Sequence, residues 1–528
     1  MKTVTSSKLI ILVAVFLITF GNLAFFSKVT EVYPVSLKNI AYLGSLAFVF
    51  GGAIVFLLSL ICHKYTIKPV LITLLLVSSI SSYFMDSYDV IIDDAMVENI
   101  FKTDMAESTD LITLKMILYV IFLGVVPSLF VYKANIVYAD SRQEIVSRLK
   151  LSLLTLALVI SVVLIFGGFY ASFLREHKPL RFYANPSYYI YSTVKYFNRS
   201  IKRDILPLRL IGVDAEIPST DIERELIIFV VGETARADRF SINGYNKETN
   251  PLLKKENIVS FPNFWSCGTS TSVSVPCMFS VYKESEYEKT DRQTTENLLD
   301  VLTHAGVNVL WLDNNSDSKG VASRVAYESY KTPEKNPICD LECRDEGMLS
   351  NIQAYINEHE TGDIFIVLHQ MGNHGPAYYK RYPPVFEKFS PVCRSKQLQE
   401  CSKVEIDNAY DNAILYTDYF LSKVIGLLKK NTSEFESALF YVSDHGESLG
   451  EHGLYLHGMP NFVAPDAQRH VPAIMWIGNN FDEIDAKALM KKRNKKYNHD
   501  NIFHTILGFM EIETSVYDKQ MDILHSAK

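Results

Sequence analysis

The first third of the chain contains five long stretches without a single charged side chain. They cover residues 9–26, 39–62, 69–85, 116–132 and 151–174. A helix of about 18 apolar residues is long enough to cross the hydrocarbon core of a bilayer. The sequence therefore predicts a domain of five transmembrane helices over residues 1–175. A cleaved signal peptide is the alternative for the first stretch, but no small-residue cleavage site follows Phe26, so a retained helix is expected.

The positions of Lys and Arg beside these stretches indicate their orientation. If the N-terminus is cytoplasmic, the cytoplasmic segments carry eight of them: Lys2, Lys8, Lys64, Lys68, Lys133, Arg142, Arg148 and Lys150. The opposite short loops carry only Lys28, Lys38 and Lys102, with Lys115 at the edge of the fourth stretch. Because cytoplasmic loops are enriched in Lys and Arg, everything after residue 174 is expected outside the cytoplasm.

Cysteine usage is consistent with an exported second half. Of seven cysteines, Cys62 lies in a predicted span and the other six follow residue 260. An even number of cysteines in an oxidising compartment predicts disulfides, and the close spacing favours three local pairs. These pairs are Cys267 with Cys277, Cys339 with Cys343, and Cys393 with Cys401. The alternative, a zinc ribbon, would need a tetrad of CxxC pairs, which the sequence lacks.

Two polar segments accompany the predicted spans. Residues 86–110 carry eight acidic side chains against Lys102, which indicates a polar loop on the outer face. Residues 176–220 mix basic and aromatic side chains, a pattern typical of a helix in the headgroup layer of a membrane. An ordinary amphipathic linker would give a similar pattern. The net charge of −7 and pI near 6.0 argue against nucleic acid as a partner.

From residue 221 to residue 528 the pattern changes to short apolar runs separated by helix-length segments. The runs are 226–231, 307–312, 364–368, 438–442 and 472–477, and the clearest helical segments are 296–305 and 406–429. This alternation predicts an α/β domain with a mainly parallel, buried sheet. Ligands of such sheets bind beyond the carboxyl ends of the strands, so the chemistry is expected there.

Metal-ligating residue types follow three of these runs. Glu233 follows the first, His374 closes a polar string after the third, and Asp444 with His445 follows the fourth. His457 comes twelve residues after His445. Alone, each carboxylate could cap a helix and each histidine could be an ordinary hydrogen-bonding residue. Together they offer the oxygen and imidazole ligands that Zn²⁺ accepts, so the sequence predicts a zinc site.

A loop rich in hydroxyl groups, residues 266–277, offers a nucleophile. It contains Thr269, Ser270, Thr271 and Ser272 between two cysteines. An alcohol becomes a useful nucleophile only beside a base or a metal ion that stabilises the alkoxide. A polar turn is the alternative, and composition does not choose among the four hydroxyls.

Four long motifs occur in order along this half of the chain. They are Val-Gly-Glu-Thr-Ala-Arg at 231–236, the hydroxyl loop continuing to Ser280, His-Gln-Met-Gly-Asn-His-Gly-Pro at 369–376, and 443–450 followed by His-Gly-Met-Pro at 457–460. In these motifs and in its five-span anchor, the chain resembles the lipid A phosphoethanolamine transferases, including the mobile colistin resistance enzymes. The resemblance covers essentially the whole sequence.

The resemblance implies a periplasmic domain with the alkaline-phosphatase or sulfatase-like fold, in a multi-pass protein of the Gram-negative inner membrane. It also implies a zinc-dependent, two-step transfer of phosphoethanolamine from phosphatidylethanolamine to lipid A. Resistance to polymyxins and other cationic peptides would follow. The chain is expected to act as a monomer that contacts membrane lipids.

The resemblance also assigns roles to individual residues. It implies that Thr271 is the nucleophile and completes a tight zinc site with Glu233, Asp444 and His445. It implies that His374 and His457 bind the phosphoryl group or a second zinc ion. Lys319 resembles a phosphate-contacting lysine, with a solvated surface charge as the alternative. The donor-lipid contacts implied in the outer loop are Asn99, Thr103 and Glu107.

One departure and three rival functions stay open at this point. His452 stands where asparagine is expected, and it either alters metal occupancy or faces water. A sulfatase or phosphatase is the first rival, although the Cys-x-Pro-x-Arg motif is absent around Thr271. A related transferase with another envelope acceptor is the second. A membrane-anchored binding protein with a dead site is the third, but it predicts a lost ligand residue, and none is missing.

Overall fold

The computed structural model describes residues 3–102, 105–138, 140–205, 207–287, 294–481 and 483–525. The chain forms two compact units. The first contains Met1–Val97 and Ile112–Tyr196, and the second contains Glu98–Leu111 and Phe197–Lys528. The chain therefore passes between the units three times, because a short segment between two apolar helices belongs to the second unit.

The first 205 residues are almost entirely helical. Their helices are α1 (Ser6–Phe20), α2 (Leu23–Val32), α3 (Ile40–Ile61), α4 (Ile67–Tyr88), α5 (Asp94–Lys102), α6 (Met105–Leu111), α7 (Leu114–Tyr119), α8 (Val126–Lys133), α9 (Ser141–Ile165), α10 (Gly167–Glu176) and α11 (Ser187–Ile205). A π-helical segment, Val120–Val125, joins α7 to α8. Two short parallel strands, β1 (Val4–Thr5) and β2 (Ile136–Val137), complete this part.

Within the described residues, four helices are long and apolar enough to cross a membrane. They are Ile40–Ile61, Ile67–Tyr88, Leu114–Lys133 and Arg142–Ile165. A fifth is obtained if α1 and α2, which meet at an angle of 55°, count as one span. The N-terminal part thus contains the four to five apolar helices expected of a membrane domain.

The first predicted span, residues 9–26, is divided because it contains a polar side chain. The backbone of Gly21 ends α1 by donating to the carbonyl of Leu17. The Asn22 amide donates to the Asn185 carbonyl at 2.6 Å and accepts from the Asn185 backbone at 3.0 Å. Since buried amides must find partners, this pair fixes the bend where the sequence pattern alone shows a continuous apolar run.

The second unit is built on an eight-stranded sheet. Its strands are β3 (Glu225–Gly232), β4 (Ile258–Trp265), β5 (Asn308–Asp313), β6 (Ala326–Ser329), β7 (Ile364–His369), β8 (Glu436–Ser443), β11 (His470–Ile477) and β12 (Tyr497–Asn498). A small antiparallel pair is formed by β9 (Ser448–Leu449) and β10 (Tyr455–Leu456). The order in the large sheet is β12-β4-β11-β8-β3-β7-β5-β6.

All neighbours in the large sheet are parallel except those of β11, which runs antiparallel to β4 and β8. Every residue of β3, β7 and β8 is buried, as expected of central strands covered on both faces. The prediction of an α/β domain with a mainly parallel sheet is confirmed. Each of the five predicted apolar runs forms a strand of this sheet.

Helices connect and cover the sheet. They are α12 (Thr271–Met278), α13 (Glu284–Tyr287), α14 (Leu298–His304), α15 (Ile352–Glu358), α16 (Lys403–Asn431), α17 (Ala486–Lys492) and α18 (Asp500–Phe509). The long helix α16 starts at a reciprocal cap in which Ser402 and Glu405 exchange hydrogen bonds. The helices predicted at 296–305 and 406–429 correspond to α14 and α16.

Candidate active site

Two central strands place the first pair of candidate ligands side by side. In the register of β3 and β8, Gly232 lies opposite Ser443, so the next residues, Glu233 and Asp444, leave the sheet at the same point. Both are buried. The backbone N–H of Thr234 donates to Oδ1 of Asp444 at 3.2 Å, which joins the two strand ends.

Thr271 reaches this point from β4, which runs in the same direction as β3 and β8 because β4 and β8 are both antiparallel to β11. It is the first residue of α12, directly after the loop that follows β4. Its hydroxyl donates to Oε2 of Glu233 at 3.0 Å and lies 3.4 Å from Nε2 of His445. The positive end of a helix dipole favours negative charge at such a position. Thr271 is therefore placed to carry an anionic group.

The neighbouring hydroxyls of the loop have other surroundings. The Thr269 hydroxyl donates to the carbonyl of Met459 at 2.6 Å. Ser270 precedes α12 without a side-chain capping bond, and the buried Ser272 hydroxyl has no hydrogen-bond partner among the described residues. Geometry thus separates Thr271 from three residues that composition leaves equivalent.

His445 is held in one tautomer. Its Nδ1 lies 2.9 Å from the carbonyl oxygen of Gly446, which can only accept, so Nδ1 carries the proton. Burial holds the pKa of His445 well below its usual range, and the nearby charge of His457 acts in the same direction. The ring is therefore neutral, with the lone pair of Nε2 directed toward the carboxylates.

Glu233, Asp444 and His445 form a cluster of acceptors, which we call the acceptor cluster. Nε2 of His445 lies 3.4 Å from Oε1 of Glu233 and 3.4 Å from Oδ2 of Asp444. Within the described residues, no donor reaches Oδ2 of Asp444. Burial accordingly raises the pKa of the Asp444 carboxyl. Such a surplus of buried lone pairs is unfavourable unless a cation occupies the space between them.

The donor set of the acceptor cluster fits a metal ion. One ligand atom from each of the three residues can be chosen so that all lie within 4.8 Å of one another. Two carboxylates, a neutral imidazole and an adjacent threonine hydroxyl are a ligand combination that a tetrahedral divalent ion accepts. These residues could therefore hold a metal ion.

Two further histidines border the acceptor cluster. The His457 ring lies 4.4 Å from the His445 ring and 5.5 Å from the His374 ring, between centroids. Burial, followed by the charge of His457, holds the pKa of His374 well below its usual range. All three rings are thus gathered at one edge of the sheet.

Glu447 is a site residue for which the sequence predicted no role. Its Oε2 lies 2.8 Å from Nδ1 of His457, and its Oε1 accepts a hydrogen bond from the Tyr378 hydroxyl at 2.7 Å. This contact sets the orientation of the His457 ring, as a carboxylate bound to the other ring nitrogen does for metal-ligating histidines. Its position three residues after Asp444 was the available indication.

Asn315 was also missed, although it lies in the string that contains Lys319. Its amide donates to Oε2 of Glu233 at 2.8 Å and to the Gln370 carbonyl at 2.7 Å. Lys319 is buried rather than solvated, with its Nζ against the Ser316 hydroxyl and 3.6 Å from Oδ1 of Asp317. This string therefore supports the acceptor cluster from the side of β5.

Comparison with known proteins identifies the family to which the chain belongs. The model of the family described as Sulfatase matches residues 225–512, and that described as Phosphoethanolamine transferase EptA/EptB matches residues 50–201. The chain is 43% identical over 513 residues to the phosphatidylethanolamine transferase Mcr-2 of Escherichia coli, covering 95% of this chain and 94% of that protein. The chain belongs to the phosphoethanolamine transferase family.

Two other comparisons agree with this membership. The phosphoethanolamine transferase EptA of Escherichia coli strain K12 is 39% identical over 517 residues, covering 96% of this chain and 94% of the relative. The solved structure of the integral membrane protein lipooligosaccharide phosphoethanolamine transferase A from Neisseria meningitidis superposes with a TM-score of 0.95 at 34% identity, and covers 100% of both chains. The chain is therefore an enzyme, a phosphoethanolamine transferase with an N-terminal apolar helical domain and a sulfatase-like domain.

Three disulfides lie in the sulfatase-like domain of this phosphoethanolamine transferase. They join Cys267 to Cys277, Cys339 to Cys343, and Cys393 to Cys401. These are the pairs that the spacing predicts, and Cys62 is free and buried. The first disulfide closes the loop that carries Thr271.

Of the three predicted donor-lipid contacts, the side chain of Asn99 alone belongs to the described part of the chain. Asn99 lies on α5 and is partly buried. Thr103 lies outside the described residues, and so does the side chain of Glu107 on α6. His452 is exposed, which agrees with the interpretation that its side chain faces water.

Proposed function

We propose that this transferase moves phosphoethanolamine from phosphatidylethanolamine to a phosphate group of lipid A, with Thr271 carrying the group between the two lipids. The names of the relatives support the donor and the type of acceptor. The observation that carries the proposal is the position of the Thr271 hydroxyl, 3.0 Å from Oε2 of Glu233 and 3.4 Å from Nε2 of His445. No other hydroxyl of its loop has comparable neighbours within the described residues.

A zinc ion is proposed at the acceptor cluster, with the Thr271 oxygen as its fourth ligand. The buried surplus of acceptor atoms around Asp444 and the neutral tautomer of His445 support this assignment. When bound, zinc would lower the pKa of the Thr271 hydroxyl and withdraw charge from the phosphoryl oxygens. Asn315 would keep Glu233 in its ligating orientation.

In the first half-reaction, the Thr271 oxygen attacks the phosphorus of phosphatidylethanolamine. The bond from phosphorus to the diacylglycerol oxygen breaks in line with the new bond, and diacylglycerol leaves as the alcohol. The hydroxyl proton of Thr271 leaves along its contact with Oε2 of Glu233 and is finally carried by the departing alcohol. Phosphoethanolamine remains esterified to Thr271.

In the second half-reaction, an oxygen of a lipid A phosphate attacks the same phosphorus. The bond to the Thr271 oxygen breaks, the threonine regains its proton, and a phosphate–phosphoethanolamine linkage forms on lipid A. Positioning and charge stabilisation are the main protein contributions to this class of reaction.

His374, His457 and Lys319 are proposed to bind the phosphoryl oxygens during both steps. The contact from Glu447 to Nδ1 of His457 directs the other side of the ring away from the carboxylate. Burial of Lys319 strengthens its interaction with an anionic group, since charges interact more strongly where water is excluded. A second zinc ion at His374 and His457 is the alternative use of the same residues.

A cellular setting is part of the proposal. The family resemblance supports the Gram-negative inner membrane, and the bias of Lys and Arg supports a cytoplasmic N-terminus with the catalytic domain in the periplasm. The added ammonium group would reduce the net negative charge of lipid A. Polymyxins and other cationic peptides would then bind it less tightly, since that binding depends on opposite charge.

The proposal is tested by the mass spectrum of lipid A from cells that express the intact chain, Thr271→Ala or Ser272→Ala at matched levels. Ser272→Ala is the matched control because it also removes one hydroxyl from α12. We expect a phosphoethanolamine increment with the intact chain and Ser272→Ala, but not with Thr271→Ala. An unmodified lipid A in all three, with phosphatidylethanolamine still converted to diacylglycerol, would transfer the assignment to another envelope acceptor. An increment that survives Thr271→Ala would contradict the proposal.

A further inference from the structure

The acidic side chain of Asp110 links the segment Glu98–Leu111, here called the inter-span segment, to the sulfatase-like domain. Asp110 is buried, and three cations surround its carboxylate. Lys380 approaches Oδ1 at 2.5 Å, Lys396 approaches Oδ1 at 3.0 Å, and Arg381 approaches Oδ2 at 3.2 Å. Lys396 also donates to the backbone carbonyl of Thr109 at 2.9 Å.

Two residues of this network lie in loops that disulfides close. Lys396 lies inside the loop closed by Cys393 and Cys401. Glu342 lies inside the loop closed by Cys339 and Cys343 and approaches Arg381 at 2.5 Å. Arg381 is therefore held from two sides, by Asp110 of the inter-span segment and by Glu342.

Arg381 continues this chain of contacts into the active site. Its Nε donates to the backbone carbonyl of His374 at 2.6 Å, while its two terminal nitrogens bind the carboxylates. The side chain of Arg381 is almost fully buried, with 2% exposed. A planar guanidinium held at all three nitrogens has one orientation, so it fixes the His374 backbone.

The charge of Asp110 is maintained despite its burial. Burial alone would raise the pKa of this carboxyl, but the hydrogen bond from Lys380 and the charge of Arg381 outweigh it and lower the pKa. Removing one partner from a buried ion pair leaves the other charge uncompensated. Loss of the Asp110 charge would therefore act on Arg381, and through Arg381 on His374.

We infer that Asp110 is a positioning residue of the transferase, which acts through Arg381 to hold His374 in place for the phosphoryl group. The inference rests on the proposed function, in which His374 binds that group. It makes the inter-span segment, whose predicted role is contact with the donor lipid, a structural part of the active site. The contact of Asp110 with Arg381 and the placement of His374 for the phosphoryl group are then coupled.

The test uses the full chain in detergent and measures diacylglycerol release from a fluorescent phosphatidylethanolamine. Asp110→Asn should lower kcat/KM by about 10- to 100-fold, the range observed when partners that orient active-site ligands are removed. Glu248→Gln is the matched control, since it makes the same chemical change in an exposed pair with Lys254. The control should stay within about twofold of the intact chain, as exposed ion pairs contribute little.

The deciding comparison repeats the substitution in a His374→Ala background. If Asp110 acts through His374, Asp110→Asn should change kcat/KM of His374→Ala by less than about twofold, because coupled residues give non-additive effects. A merely structural role would lower kcat/KM by the same factor in both backgrounds. That result, or full activity of Asp110→Asn in the intact background, would overturn the inference.

A milder variant guards against loss of folding. Lys380 is partly exposed, so Lys380→Met removes one partner of Asp110 without leaving a buried cation unpaired. Lys380→Met should lower kcat/KM less than Asp110→Asn does, and this decrease should also disappear in the His374→Ala background. An equal decrease of kcat/KM in both backgrounds would overturn the inference.

Thr271→Ala, assayed beside these variants, separates the proposed function from the inference about Asp110. Its activity would refute the proposed function, whereas its inactivity together with additive Asp110 effects would refute the inference alone.

Discussion

Two polar clusters, one in each unit of this transferase, are buried in different ways. In the apolar helical unit, Asn22 and Asn185 exchange hydrogen bonds, and the Asn185 amide also donates to the Gly21 carbonyl at 2.9 Å. In the sulfatase-like unit, Glu233, Asp444 and His445 direct acceptor atoms at one another. Exchanged hydrogen bonds hold a helix bend, whereas acceptor atoms that face one another indicate a site for a cation.

The sulfatase-like unit also contains a carboxylate that is matched with donors. Asp345 is buried and accepts from the Asn314 amide at 2.7 Å and from the backbone of Met371 at 2.8 Å. Burial of a carboxylate is therefore not what distinguishes Asp444. Asp444 differs from Asp345 because, within the described residues, no donor reaches its Oδ2, and because Nε2 of the neutral His445 lies 3.4 Å from that oxygen.

The largest effect on transfer is expected when Asp444, a carboxylate of the acceptor cluster, is replaced by an amide. Asp444→Asn should lower transfer by at least about 10³-fold, since several kcal/mol of charge stabilisation correspond to that factor. The purified variant should also lose its bound zinc, measured by elemental analysis. In chelator, it should unfold at a higher temperature than the unsubstituted chain, because an amide can donate where a carboxylate cannot. Asp345→Asn is the matched control and should keep its zinc, whereas an unchanged zinc content in Asp444→Asn would contradict this account.

The second effect concerns the matched amides of the helical unit. Asn22→Ala leaves the buried groups of Asn185 without their partner, which costs about 1–3 kcal/mol. The thermal unfolding midpoint of the full chain should fall, while zinc content and kcat per folded molecule stay unchanged. A loss of zinc in this variant would mean that the two ways of burying polar groups are not independent.

The third effect concerns His499, a buried histidine of the sulfatase-like unit. His499 is buried and matched, since its Nε2 lies 3.1 Å from the Ser443 carbonyl, and burial lowers its pKa to about 3. An unfolded histidine takes up a proton below pH of about 6.5, whereas folded His499 does not, so stability is lost as pH falls below that value. His499→Gln should remove up to about 1.4 kcal/mol per pH unit of this dependence. Unfolding midpoints of the unsubstituted chain and of His499→Gln, measured at about pH 7 and about pH 5, check this prediction. If the midpoint falls by the same amount in both proteins, His499 is not the source of the pH dependence.

The smallest effect is expected at His452. This residue is exposed at a turn with φ of 54°, so it has no position in the acceptor cluster. His452→Asn should leave zinc content unchanged and transfer within about twofold, as exposed substitutions usually do. A change in zinc content would restore the interpretation in which His452 alters metal occupancy.

The sequence predicted the sheet well where strands are continuous and apolar. The five runs became β3, β5, β7, β8 and β11, because a strand covered on both faces needs apolar residues at every position. It missed β4, which Pro262 and Asn263 interrupt, β6, which is largely exposed, and β12, which has only two residues. None of these strands has the pattern of a buried central strand.

The features that sequence could not reveal depend on partners far away in the chain. The bend at Asn22 requires Asn185, which is 163 residues later. The docking of the inter-span segment requires Asp110 to meet Lys380, which is 270 residues later. Asp110 is one of eight acidic residues in its loop, and no local pattern separates it from the other seven.

The candidate site was predictable in its residue types but not in its supporting contacts. Strand ends and motif order indicated the acceptor cluster, and the family resemblance distinguished Thr271 among four hydroxyls. The roles of Asn315 and Glu447 follow only from distances, since a polar residue near a motif has no distinctive pattern of its own. Thr103 lies outside the described residues, so its predicted contact with the donor lipid stays a prediction.

The central claim is that Thr271 carries phosphoethanolamine between the two lipids. It is tested most directly by incubating the zinc-loaded full chain with headgroup-labelled phosphatidylethanolamine in the absence of lipid A, followed by tandem mass spectrometry of the peptide that contains the hydroxyl loop. We predict a phosphoethanolamine adduct on Thr271 that disappears when lipid A is added. Continued turnover without an adduct, or an adduct on Thr269, Ser270 or Ser272, would contradict the claim.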